Sequence, residues 1–243
     1  MLQHHTAEDR LRADIVRVCR RMHERGYVSG WAGNVSARLG DDRFLVTPSG
    51  VPKSDVEPDD LIVIDGRGAV VSAARGLRPT SEVPMHLCAY RRRPDVGAVV
   101  HAHPIHAVAL SIAGDALAKQ YVPEAIVVLG PIAVTPYATP STDENERVVD
   151  DVIAAHDAIV LRYHGSLTVG RDVDEAYLRL ETLEHAAQVI AAVESLGGGP
   201  EIEASQVAKL AAQRATAIAR RTPPAHLADA PNGLRQDAPL VRR

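Results

Sequence analysis

Between Thr6 and Arg221 the chain alternates strand-length apolar runs with longer segments of helical period, and several of the short runs sit side by side across a glycine turn. That alternation restricts the fold more than any figure for composition does. Short runs joined by a tight turn pair antiparallel, whereas runs separated by a helix are free to pair either way. Amphipathic helices in turn need a sheet face to cover. The pattern therefore predicts an α/β fold, a three-layer α/β/α sandwich around a mixed, largely antiparallel central sheet. No Gly-x-Gly-x-x-Gly or Walker-type loop argues for a doubly wound parallel sheet instead.

Thr6 with Asp9 resembles a capping box, and Leu11, Ile15, Val18 and Met22 then recur at helical spacing, predicting a first helix over Ala7–Arg25 that Gly26 closes. Gly33, Asn34 and Ser36 read as a turn feeding a short strand, followed by a strand at Phe44–Thr47. Leu61–Asp65 and Ala69–Ser72, divided by Gly66 and Gly68, have the form of a hairpin. A helix follows Ser81, tolerates Pro84 in its first turn and stops before Pro94. Next come a buried strand at Val96–His101, a short helix at Pro104–Ala113, and strands at Ala125–Leu129 and Ile132–Thr135. Ser141 with Glu144 reads as a capping box opening another helix. Strands at Ala158–Tyr163 and Ser166–Val169 precede helices at Val173–Leu196 and Glu203–Arg221. Residues 1–221 are expected to form one catalytic domain. Pro223, Pro224, Pro231 and Pro239 with little apolar periodicity make Thr222–Arg243 a flexible tail by composition.

Charge narrows the partners. The formal net charge of −4 and a pI near 6.3 provide no positive footprint for nucleic acid or an anionic membrane, so a small-molecule partner is expected. Only Cys19 and Cys88 are present, without metal or disulfide spacing, which suits a reducing, cytoplasmic compartment. No apolar stretch has the length of a signal-peptide core at the N-terminus or of a membrane span elsewhere.

His101 and His103 lie one residue apart at a strand end, where the period of two puts both imidazoles on one face. Such a pair serves ordinary hydrogen bonding as readily as chelation. A catalytic divalent ion typically takes three protein ligands, and His164, at the end of the run Ala158–Tyr163 and before Gly165, is the third candidate. His23, His86, His156 and His185 sit on expected helices without metal-ligand spacing, and His4, His5 and His226 lie near the termini. They are read as structural or exposed. His106 is read as structural or supporting. Glu82 opens a helix, where complementarity to the helix dipole accounts for it, or where it serves as a proton-transfer group. Thr80 and Ser81 beside free helix N–H groups, Asn34, and the turn Thr47-Pro48-Ser49-Gly50 with Ser49 and Gly50 at its tip offer anion donors, although turns require these residue types in any case.

Gly33-Asn34-Val35-Ser36, Thr47-Pro48-Ser49-Gly50, Thr80-Ser81-Glu82 with His86, His101-Ala102-His103 and His164-Gly165 occur in an order that resembles the class II aldolase/adducin family over about Leu11 to Leu196. The resemblance implies an α/β/α sandwich, a homotetramer with sites between subunits, and zinc, with Mn2+ or Co2+ as alternatives. It implies His101, His103 and His164 as metal ligands, Glu82 as the acid/base, and Asn34, Ser49, Gly50, Thr80 and Ser81 as the phosphate cradle. It also implies a tyrosine acting across the subunit interface, for which Tyr121 is the positional match, although its flanks differ from the family pattern. A glutamate at position 82 favours the aldolase branch over the epimerase branch, in which that position is an aspartate. The expected reaction is metal-dependent cleavage of a ketose 1-phosphate to dihydroxyacetone phosphate and a small aldehyde through a metal-stabilised enediolate. A decarboxylase of the same family is the principal alternative, with an epimerase or a non-catalytic adducin-like module behind it.

Overall fold

A computed structural model describes residues 6–40 and 42–220. The tail Thr222–Arg243, with Arg221, His4, His5 and His226, lies outside the described residues. The first helix, α1 (Ala7–Glu24), opens as the sequence suggests: Thr6 Oγ1 accepts from Asp9 N at 3.1 Å and the Asp9 carboxylate accepts from Thr6 N at 2.8 Å. Its buried face carries Ile15, Val18, Cys19 and Met22.

The strands are β1 (Asn34–Gly40), β2 (Arg43–Val46), β3 (Ile62–Asp65), β4 (Val70–Ser72), β5 (Ala98–Ala102), β6 (Ile132–Val134), β7 (Ala158–Leu161) and β8 (Gly165–Gly170). They form one sheet in the order β4-β3-β2-β1-β5-β8-β7-β6. Among the described residues only β6 and β7 pair in parallel, and every other neighbouring pair is antiparallel. The remaining helices are α2 (Val83–Arg92), α3 (Ile105–Ala113), α4 (Pro123–Val128), α5 (Asp143–Ile153), α6 (Val173–Ser195) and α7 (Ala204–Ala219).

Both sheet faces are covered, which is why the strands read as continuous apolar runs. Leu45, Val63, Ala98 and Val100 pack with α1 and α6, while Phe44, Ile62, Ile64 and Val99 pack with α2 and α5. A third cluster joins α3, α4 and α6 over Ala158 and Val160. Alternation along β5 puts His101 on the face of Val99, toward α2, and that places the site.

Two expectations fail. Ala125–Leu129 is not a strand: Ala125–Val128 belongs to α4 and Leu129 caps it. Pro123 presets the first turn and Glu124 complements the helix dipole there, and the β-branched run packs on α6 and α7 rather than joining the sheet. Nor does Ser141 cap α5. The chain enters through a left-handed residue at Ser141 (φ 61°), so Thr142 becomes the extended cap and accepts from Glu144 N at 3.3 Å.

The C-terminal helix α7 buries no residue of its own fully and is held by Arg214. That guanidinium donates to the carbonyls of Val127 and Val128 at the end of α4 and to the Asp157 carboxylate. Asp157 also accepts from Arg93 at 2.9 Å and pairs with Arg179 at 2.9 Å. Burial alone would raise the Asp157 carboxyl, but the guanidiniums of Arg179, Arg93 and Arg214 outweigh it and hold the group below the usual carboxylate range. A carboxylate whose folded-state value is depressed contributes stability above its unfolded value, near pH 4, and loses that contribution as pH falls through the folded value. Asp157→Asn is therefore expected to cost about 3–5 kcal/mol at neutral pH by leaving three guanidiniums without their shared anion. Thermal melts of both proteins from pH 7 downward check this, with the difference expected to shrink below about pH 4.

Candidate active site

The site forms where β1, β5 and β8 lie side by side. Ala102 pairs with Ser166 across β5 and β8, and Asn34 pairs with His101 across β1 and β5. The tight turn from Leu161 to Gly165 carries His164, whose N–H donates to the Leu161 carbonyl at 3.0 Å while Tyr163 takes a left-handed conformation (φ 63°). His101, His103 and His164 are brought together with ring centroids 4.8–5.0 Å apart. One nitrogen from each ring lies within 4.8 Å of the other two.

Gly165 is what allows this approach. A Cβ built there would stand 2.4 Å from the Ala102 carbonyl oxygen, 2.7 Å from His103 and 3.0 Å from His101, so no side chain fits without displacing two of the histidines. Gly33 is similarly constrained from the other side. Its φ is 75°, and a Cβ would lie 2.4 Å from Val28 and 3.0 Å from the His101 carbonyl oxygen.

Protonation favours ligation. His101 is fully buried, and its Nδ1 donates to the Ser166 carbonyl at 2.9 Å, which leaves Nε2 with its lone pair. That nitrogen faces His103 Nε2 at 3.0 Å and Glu82 Oε2 at 3.1 Å. Burial lowers the His101 imidazole well below its ordinary value, with His103 and His164 adding to the effect. Burial and then His164 push His103 down to about 4, and burial lowers His164 as well. Neutral imidazoles are the form that binds a metal. Three nitrogens about a tetrahedral ion at 2.0–2.1 Å would be about 3.3 Å apart; the donor chemistry fits a divalent cation, and the 3.0 Å between His101 Nε2 and His103 Nε2 is near that spacing.

Glu82 does not serve the helix dipole by capping, because its side chain makes no cap bond at the start of α2. Instead its carboxylate turns inward. Oε2 accepts from Asn34 Nδ2 at 2.8 Å, and Oε1, buried and without a hydrogen-bond partner, lies 3.5 Å from His164 Nε2. The helix instead begins beneath Thr80, whose Oγ1 accepts from Glu82 N at 3.3 Å.

The polar turns converge on the same place. Thr80 N donates to the Thr47 carbonyl at 3.2 Å and Ser49 N to the Arg78 carbonyl at 2.8 Å, a short ladder that sets the tip Ser49-Gly50 against Thr80-Ser81. Gly50 needs its freedom there, with φ at 76°. These four residues, with Asn34, Glu82 and His103, line a cleft of about 280 Å³. Two further wall residues are absent from the sequence reading. Lys53, 1% exposed, donates to the Val51 carbonyl at 2.8 Å and the Trp31 carbonyl at 3.5 Å, with no carboxylate partner among the described residues. Burial lowers its ammonium from the ordinary lysine value. Trp31 stands at the rim, 72% exposed.

Two supporting roles also go beyond the sequence reading. Glu184 of α6 accepts from the backbone N–H groups of His106 and Ala107 and pairs with His106 Nδ1 at 2.7 Å, anchoring the start of α3 next to His103. His86, one helical turn from Glu82, is buried against Asn34 and Ser36. His86 stands with Thr80-Ser81-Glu82 in the family pattern, and its spacing of four from Glu82 is the signal that points beyond a merely structural or exposed role. Tyr121 is not brought to this cleft within the chain. Its hydroxyl, with one proton to donate, lies 3.2 Å from Glu194 Oε1 and 3.1 Å from the Gly199 carbonyl oxygen.

An α/β/α sandwich presenting three clustered imidazoles and an inward carboxylate beside a donor-lined cleft has the parts of an enzyme that could hold a metal ion. Residues 13–191 match the model for the class II aldolase and adducin N-terminal domain, and the chain belongs to that family of metal-dependent lyases. It is 35% identical over 176 residues to an L-fuculose phosphate aldolase of Methanococcus maripaludis, covering 72% of this chain and 93% of that one. It is 30% identical over 187 residues to a 3-oxo-tetronate 4-phosphate decarboxylase of Escherichia coli K12, covering 75% and 87%. The L-fuculose-1-phosphate aldolase structure from Thermus thermophilus superposes with a TM-score of 0.67 at 31% identity, over 79% of this chain and 99% of that one. Among the described residues no helix is long and apolar enough to cross a membrane.

The close approach at Gly165 yields a test that alters no ligand. If the triad holds a divalent ion, Gly165→Ala is expected to reduce the metal retained at equilibrium at least tenfold while leaving the secondary structure intact, as measured by metal analysis after dialysis and by circular dichroism.

Proposed function

We propose that the chain is a zinc-dependent aldolase that cleaves a ketose 1-phosphate to dihydroxyacetone phosphate and a small aldehyde. The observation that carries this reading is the placement of Glu82 Oε1, buried and unpartnered, between the imidazole triad and the cleft. A divalent ion held by His101, His103 and His164 supplies Lewis acidity at a carbonyl oxygen, offsetting the negative charge that bond breaking leaves on the keto fragment. Glu82 Oε1 gives or takes the proton at the adjacent carbon, while Oε2 stays held by Asn34. Ser49, Gly50, Thr80 and Ser81, with the second N–H of Asn34, bind the phosphate, and the unpaired Lys53 ammonium adds positive charge to that wall. Binding energy from the phosphate end then orients the reacting bond. No lysine Schiff base is needed.

Tyr121 lies away from its own chain's cleft, which supports a role at a neighbouring copy's site in a homotetramer. There it would relay the proton that the aldehyde-side hydroxyl loses as its carbon becomes the carbonyl. The relative named as a 3-oxo-tetronate 4-phosphate decarboxylase supports a second reading, loss of carbon dioxide from a phosphorylated keto acid, in which the same residues oppose the same charge.

Zinc-loaded protein offered a panel of ketose 1-phosphates and 3-keto acid phosphates separates the two when dihydroxyacetone phosphate and carbon dioxide are assayed together. Dihydroxyacetone phosphate without carbon dioxide is the expected product. Glu82→Gln is expected to keep its metal and lose about 10²–10⁴-fold in turnover. An active, mildly destabilised variant would remove Glu82 from the mechanism. Mixing Glu82→Gln with Tyr121→Phe protein after subunit exchange should restore a fraction of wild-type turnover. No recovery would place Tyr121 outside the site.

A further inference from the structure

Behind Glu82 a buried row of polar side chains runs between β1 and α2, from the start of the helix to Tyr90 near its end. Tyr90 Oη lies 2.8 Å from Ser36 Oγ, Ser36 Oγ lies 2.7 Å from His86 Nδ1, and His86 Nε2 lies 2.6 Å from Asn34 Oδ1. Asn34 Nδ2 then reaches Glu82 Oε2 at 2.8 Å. Tyr90, Ser36, His86 and Asn34 are each at most 4% exposed, so no water replaces any of these bonds. Polar groups buried this deeply are costly unless each is satisfied, which argues that the row is retained for what lies at its end.

We propose that these residues form a one-way chain of donors ending on Glu82, and that His86 is thereby the positioning residue that holds the carboxylate with Oε1 free for the cleft. The direction follows from the donor inventory. The Asn34 amide nitrogen donates to Glu82 Oε2, and its amide oxygen faces His86 Nε2. That oxygen only accepts, so His86 carries its proton on Nε2. Burial keeps the second nitrogen unprotonated, pushing the imidazole down to about 3 with help from His101 and against Glu82. Nδ1 therefore accepts from Ser36, and Ser36 accepts from Tyr90. Reversing any one link would set two acceptors face to face. His86 thus fixes which way Asn34 points, and Asn34 fixes Glu82. Without it the amide is free to turn, and both carboxylate oxygens lose their distinct roles.

The inference rests on Glu82 as the acid/base, but its first test does not. Long-range 1H–15N correlation spectra of the 15N-labelled full chain, metal-free and zinc-loaded, report the tautomer of each histidine. His86 is expected with Nε2 protonated and Nδ1 not, in both states. A proton on Nδ1 would overturn the proposal. His86→Gln retains one acceptor and one donor, whereas His86→Leu has neither. Hydrogen exchange at the Asn34 side-chain amide is expected to accelerate at least tenfold in the leucine variant and to stay near wild type in the glutamine variant. Unchanged exchange in His86→Leu would also overturn it. Should the leucine variant not fold, Ser36→Ala against Ser36→Thr gives the same contrast, since only threonine keeps the hydroxyl.

On the substrate that the product assay identifies, His86→Leu should lower kcat about 10–100-fold with KM and zinc content within twofold, and His86→Gln should recover most of it. Equal losses in both variants, or loss of zinc along with activity, would mark His86 as merely structural. If Glu82→Gln keeps full turnover while His86 shows the expected tautomer and exchange, the acid/base reading fails and the donor chain stands.

Discussion

The hydrogen bond from His101 Nδ1 to the Ser166 carbonyl is the interaction on which the site depends. It fixes the tautomer of a fully buried imidazole, and with it the direction in which the one available lone pair points. It does so across the pairing of β5 with β8, so Nε2 is aimed by the sheet itself rather than by a mobile loop. His103 and Glu82 converge on that same nitrogen at 3.0 and 3.1 Å. Lone pairs this close repel unless a cation or a proton lies between them. A proton on His103 Nε2 would relieve one of these contacts, and a cation bound among the three groups would relieve both.

The cleft is built by a different device. Backbone pairing between the turn at Thr47–Gly50 and the loop at Arg78–Ser81 brings two sets of anion donors together although each belongs to an ordinary turn. Burial of Lys53 behind that pairing without an anionic partner is unfavourable in the protein alone, as the lowering of its ammonium by desolvation reflects. An anionic substrate group would remove that cost. Glu184 performs a comparable service for His103: Pro104 has no N–H and no capping side chain, so a carboxylate from α6 satisfies the exposed N–H groups at the start of α3.

Much of this is legible in the sequence because it rests on local pattern. The period of two that puts His101 and His103 on one face, the capping box at Thr6, the hairpin at Leu61–Ser72 and the long amphipathic helix of α6 all concern neighbours in the chain. What is not legible depends on contacts distant in sequence. The run at Ala125–Leu129 has the composition of a strand, and its helical state is decided by Pro123 and by docking on α6 and α7. Glu82 reads equally well as a helix-dipole residue, and only the folded chain turns its side chain toward Asn34 and His101. Lys53 lies in a polar loop, and nothing nearby in the chain announces that it is buried. His86 carries a signal in its spacing from Glu82, but its partners Asn34 and Ser36 lie about fifty residues earlier, on a strand.

The sheet order carries a consequence for the order in which the molecule assembles. His101 is separated from the Ser166 carbonyl that orients it by 65 residues, and β5 is flanked by strands that arrive long before and long after it in the chain. Pairings of such separation form slowly, because loop closure must precede the contacts that reward it. During synthesis the His-x-His pair emerges while β8 and the turn bearing His164 have yet to be made. A metal ion met at that stage finds two donors with free ring orientations, a weak and unselective site. The three imidazoles stand together only once the last hairpin docks, so a metal ion held by all three would be bound at the end of folding rather than at its start.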